Sequence, residues 1–234
     1  MYHFRLYHYW RSSSSWRVRW ALALKKIPCE YVSVNLLSDE TDGPEQRARN
    51  PFGYVPVLQI FDSSDSSSLD GSATSSSTSG TSKGGKPRYL TESLAIIEWF
   101  EELFTTPPLL SGDSYQKAKI RQLTETINSG TQPLQNPDVA QFHSSDPEQQ
   151  KKWNLHWIRN GLGAYETLVQ ETAGKFSVGD ALTLADLCLI PQCYNALRQG
   201  ILLSEFPRIE KIYQASLLTE SCKASAPDSF SPKS

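Results

Sequence analysis

Residues His3 to His8 alternate apolar with polar side chains, the period-two pattern of a short strand. From Trp16 to Lys26 the apolar residues fall at 16, 20 and 24 and again at 18, 21 and 22. That is helical spacing over a broad face. Ile27-Pro28 stops the helix, and Cys29 to Val34 alternates once more. Strand, helix and strand in this order make a βαβ unit, which predicts that its two strands run parallel. Asn50-Pro51-Phe52-Gly53 carries turn chemistry. Val55 to Ile60 reads as a third strand, with Pro56 confined to its start because proline donates nothing to a ladder. Arg88-Tyr89-Leu90 resumes a strand, and Thr91 or Ser93 opens a helix through Leu94 to Phe104. The break between Ile60 and Arg88 has the form of a hairpin whose turn has been enlarged, which loop-closure entropy tolerates because it grows slowly with length.

Between Phe61 and Lys86 the chain is nearly all Ser, Thr, Gly and Asp, with almost nothing to bury. A disordered insertion is expected over 61–86. Pro107-Pro108 and Ser111-Gly112-Asp113 form a linker, after which helical patterns run Tyr115 to Ser129, Pro147 to Thr172, Thr183 to Gln199 and Pro207 to Leu218. The predicted class is α+β: a small ββαβ-type N-terminal domain (1–108), an all-α domain (109–222) and a loose polar tail (223–234).

At 234 residues the chain accommodates one large domain or two modest ones. Six tryptophans, ten tyrosines and nine phenylalanines suffice for a substantial core. The net charge of −2 gives no electrostatic case for a nucleic acid or an anionic membrane. Cys29, Cys188, Cys193 and Cys222 form no CxxC pair, and with the four histidines they show no metal-ligand spacing, so no metal is expected. Cys188 and Cys193 sit in an apolar run and read as buried thiols. No secretory pattern opens the chain and no 18-residue apolar run exists, so a reducing compartment, the cytoplasm, is the expectation.

Three constellations carry candidate chemistry. Ser12 to Ser15 stand at the junction of the first strand and the first helix. Helix N-termini present unpaired amides and a partial positive charge, so hydroxyls there either cap the helix or bind an anion, with Arg11 and Arg17 adding charge. Serine runs recur at 66–68 and 75–77, so both readings stay open for this stretch taken alone. Tyr54-Val55-Pro56-Val57 is a candidate cis-proline element that frees Val55 to pair with an extended ligand. Thr91-Glu92-Ser93 offers a carboxylate for an ammonium and an amide-hydroxyl pair for a carboxylate, although capping alone also accounts for Ser93. Thr183 and Asp186, within VGDALTLAD, have capping-box spacing, for which a structural role is expected.

Taken together, RSSSSWRVRWALALK, NPFGYVPVL, TESLAIIEWFEE, QPLQN, FSVGDALTLADLCLIPQ and NALR resemble the zeta class of glutathione transferases, which includes the maleylacetoacetate isomerases. The resemblance covers nearly the whole chain apart from the insertion and the tail. It implies a thioredoxin-like domain that binds glutathione, an all-α domain that covers the second substrate, and a homodimer. It further implies that Ser12 donates a hydrogen bond to the glutathione sulfur, with Ser13 beside it. Ser14 stands where the family has cysteine. Ser14 and Arg17 join the expected glutathione site with Val55 (backbone pairing), Glu92 and Ser93 (γ-glutamyl end), and Gln132 and Asn136 from the helical domain. Arg198 matches the arginine that receives a substrate carboxylate. The implied reaction is cis–trans isomerisation of a carboxylate-bearing enone, 4-maleylacetoacetate to 4-fumarylacetoacetate in tyrosine and phenylalanine breakdown. The departure at Ser14 keeps two alternatives open: a diverged isomerase or transferase for another electrophile, and a non-catalytic glutathione-binding protein.

Overall fold

The computed structural model describes residues 2–35, 43–62 and 87–232. The N-terminal half runs β1 (Tyr2–His8), α1 (Ser13–Lys25), β2 (Glu30–Ser33), α2 (Pro44–Arg49), β3 (Val57–Asp62), β4 (Arg88–Thr91) and α3 (Ser93–Leu103). Its strands form one sheet in the order β2-β1-β3-β4. As the βαβ pattern predicts, β1 and β2 are parallel, with Arg5 opposite Glu30 and His8 opposite Ser33. β3 runs antiparallel to β1, and β4 antiparallel to β3 with Val57 opposite Thr91 and Ile60 opposite Arg88. Phe61 and Asp62, assigned by composition to the insertion, instead extend β3 and pair with His3 and Tyr2. The remainder of the expected disordered insertion, 63–86, lies outside the described residues. β3 begins at Val57, after Pro56, whose missing N–H ends the ladder there.

Helix α1 starts at Ser13, earlier than its apolar spacing indicates, because serines fill its first turn. Trp16, Val18, Trp20 and Leu22 are buried, and so are Arg17 and Arg19, so the helix is enclosed on nearly every side. It packs against α3 and against two helices of the C-terminal half. Burying each large apolar side chain contributes on the order of 1.5–3 kcal/mol.

The C-terminal half contains α4 (Ser114–Asn128), α5 (Pro137–His143), α6 (Pro147–Leu168), α7 (Leu184–Arg198), α8 (Pro207–Leu217) and α9 (Glu220–Ser225). Asp113 caps α4 by accepting from the Gln116 amide at 2.8 Å while Gln116 reaches back to the Asp113 amide. α7 lies at the centre, against α1, α4 and α8. Its start is fixed by Asp186, fully buried, which accepts from the Thr183 amide (2.8 Å), the Thr183 hydroxyl (2.9 Å) and the Ser177 amide (2.8 Å). Burial pushes this carboxyl up from its ordinary value, and the Ser177 and Thr183 hydrogen bonds pull it back. Thr172 does not continue α6; the helix tightens into a 3-10 turn over Val169–Glu171.

The linker between the halves is held by Lys25, whose ammonium meets Glu101 at 2.7 Å and donates to the carbonyls of Phe104 (2.6 Å) and Pro107 (2.8 Å). Glu101 in turn accepts from the Leu109 and Leu110 amides.

The described part of the expected loose tail, 223–232, continues from a short helix that packs on the body. α9 docks on α1 through Trp20 Nε1 to Ser221 Oγ (3.0 Å) and Trp16 Nε1 to Ser225 Oγ (3.1 Å). Beyond it, Phe230 packs edge-on against His8 and Tyr31. These anchors are a serine, a serine and one aromatic, which carry little apolar signal.

Among the described residues no helix is long and apolar enough to cross a membrane, and no group of His, Cys, Asp and Glu is placed to hold a metal. All four cysteines are free; Cys188, Cys193 and Cys222 are buried, and burial pushes their thiols up.

Candidate active site

The N-terminus of α1, the loop before β3, the start of α3 and the residues after α4 converge on one cleft. It comprises two adjoining pockets of about 460 and 430 Å³. One is lined by Ser14, Val55, Glu92, Ser93, Gln132 and Asn136 among others, and the second adds Ser12, Arg47 and Asp138.

Ser12 is the N-cap of α1. Its Oγ accepts from the Ser15 amide at 3.2 Å. A hydroxyl carries one donor besides its acceptor lone pairs, so capping leaves the Ser12 hydrogen available to the cleft. Capping and ligand binding, open alternatives on the sequence, are therefore compatible in one residue. Ser14 faces the same cleft and accepts from Gln132 Nε2 at 2.7 Å, a bond that ties the helical half to α1. Ser13 points inward, buried, and is not among the residues lining either pocket.

The Val55–Pro56 peptide is cis. Asn50 Nδ2 and Gln46 Nε2 each donate to the Tyr54 carbonyl at 3.0 Å, and the Gly53 amide closes a turn onto the Asn50 carbonyl at 2.8 Å. Gly53 takes φ +78°, the left-handed region glycine enters freely. These bonds fix the loop that carries Val55. Across the mouth, the Tyr54 hydroxyl donates to Asp138 Oδ2 at 3.4 Å from α5.

Glu92 sits at φ +64° just before α3, a rare conformation for a residue with a side chain. It sets Ser93 at the first position of α3, where the leading amides have no intrahelical acceptor. Behind Ser93 lies Arg17, buried, whose Nη1 donates to Ser93 Oγ (3.3 Å) and Asn128 Oδ1 (2.7 Å). Asn128 donates onward to Glu125 at 3.3 Å. Arg17 Nε and Nη2 are buried without a hydrogen-bond partner among the described residues. Since Arg17 donates to Ser93 Oγ, the Ser93 hydrogen is directed elsewhere. This end of the cleft is thereby suited to an anion.

Arg198 stands apart. It is exposed at the end of α7, its guanidinium 5.8 Å from the Tyr194 ring centre, and it is not among the residues lining either pocket. Asn128, Ser129 and Asp138 line the cleft without having been singled out in the sequence. Asn50, Phe52 and Tyr54 also line it, and they belong to the NPFGYVPVL segment that already carried the resemblance.

A mixed sheet with a cis-proline loop, a hydroxyl-headed helix beside it and a helical half closing the cleft make a two-part architecture with its candidate site between the parts. Family models agree with it: "Glutathione S-transferase, N-terminal domain" matches residues 11–103 and "Glutathione S-transferase, C-terminal domain" matches 136–220. Probable maleylacetoacetate isomerase 2 of Drosophila melanogaster is 40% identical over 209 residues, 88% of this chain and 80% of the relative. The maleylacetoacetate isomerase of Rattus norvegicus is 39% identical over 224 residues, 95% of this chain and 91% of the relative. The crystal structure of maleylacetoacetate isomerase from Anaeromyxobacter dehalogenans, with glutathione bound in its active site, superposes with a TM-score of 0.81 at 40% identity, covering 97% and 96% of the two chains. The chain belongs to the glutathione S-transferase family, in the zeta-class branch that includes the maleylacetoacetate isomerases.

Proposed function

We propose that this protein is a glutathione-dependent cis–trans isomerase of an enedione acid, 4-maleylacetoacetate to 4-fumarylacetoacetate. The observation that carries this reading is the Ser12 hydroxyl, which caps α1 with its oxygen and keeps its hydrogen for the cleft.

The residues fit glutathione. Val55 beside the cis peptide offers a backbone edge to the cysteinyl unit, Glu92 a carboxylate to the γ-glutamyl ammonium, and Ser93 a hydroxyl and amide to its carboxylate. The unpartnered donors of Arg17 add positive potential behind that carboxylate. Gln132, Asn136 and Ser14 close the site from the other side. Bound there, glutathione supplies the thiolate that adds to the cis double bond and leaves again after rotation, so it is not consumed. The chain's own task is to favour that thiolate and hold the substrate over it. Lowering a thiol pKa by about two units requires roughly 2.7 kcal/mol. A charge-assisted hydrogen bond from Ser12, about 1.5–3 kcal/mol, and the α1 terminus, about 0.3–1 kcal/mol, reach that sum. Ser13, which the resemblance places beside the sulfur, is buried in the first turn of α1 and lines neither pocket. Arg198, carried by the resemblance, would receive the substrate carboxylate as a bidentate partner from its exposed position at the end of α7. A cytoplasmic homodimer acting in tyrosine and phenylalanine breakdown completes the proposal.

One observation favours a second reading. Ser14 replaces the family cysteine and is engaged by Gln132, so the cleft wall nearest the sulfur is altered, as a different electrophile would require.

The deciding experiment is a spectroscopic assay of purified protein with maleylacetoacetate, with and without glutathione. Conversion to the fumaryl isomer that requires glutathione and does not deplete it supports the isomerase. Depletion of glutathione with a haloacid or chloronitrobenzene, without isomerisation, supports the transferase. Binding without turnover leaves a glutathione-binding protein.

A further inference from the structure

Arg19, two turns into α1, is fully buried and meets no carboxylate among the described residues. Its donors go to neutral acceptors instead. Nη1 donates to the Tyr9 carbonyl at 3.2 Å, Nη2 to the Trp10 carbonyl at 3.0 Å and Nε to the Ser225 carbonyl at 3.0 Å. Nη1 also meets His8 Nδ1 at 3.2 Å. A guanidinium only donates, so His8 Nδ1 accepts and the imidazole proton resides on Nε2. The Phe230 ring covers the guanidinium, 4.7 Å from its centre, and is itself held between His8 (5.3 Å) and Tyr31 (4.9 Å).

The Tyr9 carbonyl has a second donor, the Ser12 amide, at 3.1 Å. The Tyr9 amide donates to Ser15 Oγ at 3.4 Å. The turn that leads from β1 into Ser12 is thus clamped at Tyr9 and Trp10 by a side chain of the helix it feeds. An apolar residue would fill the Arg19 position without the desolvation cost of a buried cation. The arrangement is expected where three carbonyls need one rigid fork, which Lys cannot reproduce.

Resting on the proposed glutathione site, we propose that Arg19 is a positioning residue for the reacting thiol. It fixes the 9–12 turn and hence the Ser12 hydroxyl, and the C-terminal segment Ser225 to Phe230 completes it by supplying one acceptor and a dry aromatic cover. The charge is not cancelled by an acid, so its field adds to the positive end of α1. Burial correspondingly pulls the guanidinium down to about 10 without discharging it at neutral pH.

The test uses the full chain with Arg19→Met, Arg19→Lys and Phe230→Ala. It reads the ultraviolet absorbance of the bound glutathione thiolate against pH, kcat and KM, melting temperature, and amide exchange across residues 9–15. Arg19→Met is expected to raise the bound-thiol pKa by about one unit, a roughly threefold loss of thiolate at neutral pH for a thiol brought about two units below the ordinary 8.5. The kcat should fall in parallel, with KM for the acid substrate little changed. Arg19→Lys, which keeps the charge but not the fork, should raise the thiol pKa by less than Arg19→Met while speeding amide exchange across 9–15, and Phe230→Ala should move the same way by less. Variants that lower the melting temperature but leave the thiol pKa and kcat in place would reduce Arg19 to packing and overturn the proposal; so would full rescue by Lys. Should Arg19→Met fail to fold, Arg19→Lys decides, because it breaks the fork while keeping the buried charge. Should the wild-type chain not bind glutathione, the functional reading falls separately. Exchange across 9–15 in Arg19→Lys then still decides the clamp, faster exchange supporting it and unchanged exchange overturning it.

Discussion

Gln132 Nε2 and Ser14 Oγ lie 2.7 Å apart, one from the turn after α4 and the other from the first turn of α1. This bond joins the two halves at the wall of the cleft, where the zeta-class resemblance places a cysteine. Ser12 and Ser14 each accept one hydrogen bond and keep their own hydrogen, but the donors differ: Ser12 is held by the Ser15 amide of its own helix, Ser14 by a side chain of the other half.

Ser12→Ala removes both the cap and the donor, and we expect kcat to fall by about tenfold to a thousandfold, in line with loss of one donor to a reacting anion. Ser14→Ala should alter kcat far less. Steady-state rates with varied glutathione check the division, and equal losses in the two variants would sink it.

The Ser14–Gln132 pair should couple. In a double-mutant cycle with Ser14→Ala and Gln132→Ala, glutathione affinity is expected to show an interaction of about 0.5–1.5 kcal/mol. Strict additivity, measured by titration calorimetry, would mean that the bond does nothing for the site.

Arg198→Ala should raise KM for carboxylate-bearing substrates and leave neutral electrophiles unaffected. An equal change in both classes would remove Arg198 from substrate recognition, as its exposed position already invites asking.

His8 is held well below the ordinary 6.5, at about 4, first by burial and then by Arg19. A histidine depressed in the folded state binds its proton more tightly unfolded. Its contribution to stability is therefore full above about pH 6.5 and is lost as pH falls toward 4, by roughly 3 kcal/mol in all. Urea midpoints across that window should fall, and His8→Gln, which keeps an acceptor for Arg19, should flatten the fall.

Asp186→Ala strands the Ser177 and Thr183 amides and should cost about 2–4 kcal/mol of stability. The same variant, where still folded, should retain its thiol pKa, since Asp186 touches no residue of the cleft. Denaturant unfolding alongside the thiolate titration checks both parts.

Much of this arrangement was legible before any coordinates. The strands and long helices follow from alternation or helical spacing, and the Thr183–Asp186 box follows from its three-residue interval. α2 escaped because Gln46 is its only buried residue, so no apolar period exists to detect. α9 escaped for a related reason: its six residues dock through Cys222 and two serines rather than through leucines. Arg17 entered the expected site through its charge and the resemblance, whereas Arg19 was not singled out, and only tertiary packing shows both guanidinium groups inside the molecule. The cleft residues inside the family segments were found; Asn128, four positions before the QPLQN segment, was not.

The β3–β4 hairpin has a practical consequence. Val57 and Thr91 meet beside Val55, Glu92 and Ser93, whereas Ile60 and Arg88 meet three residues further along. At about 3.4 Å per residue that places the last β3–β4 pair roughly 10 Å down the ladder from the cleft, with β3 running on to Asp62 beyond it. The pairing closes before the intervening sequence begins, so its register does not depend on how many residues follow Asp62. The fold thus carries a natural attachment port there, where a reporter or tether could replace the native segment while the chemistry at the other end of the same two strands continues undisturbed.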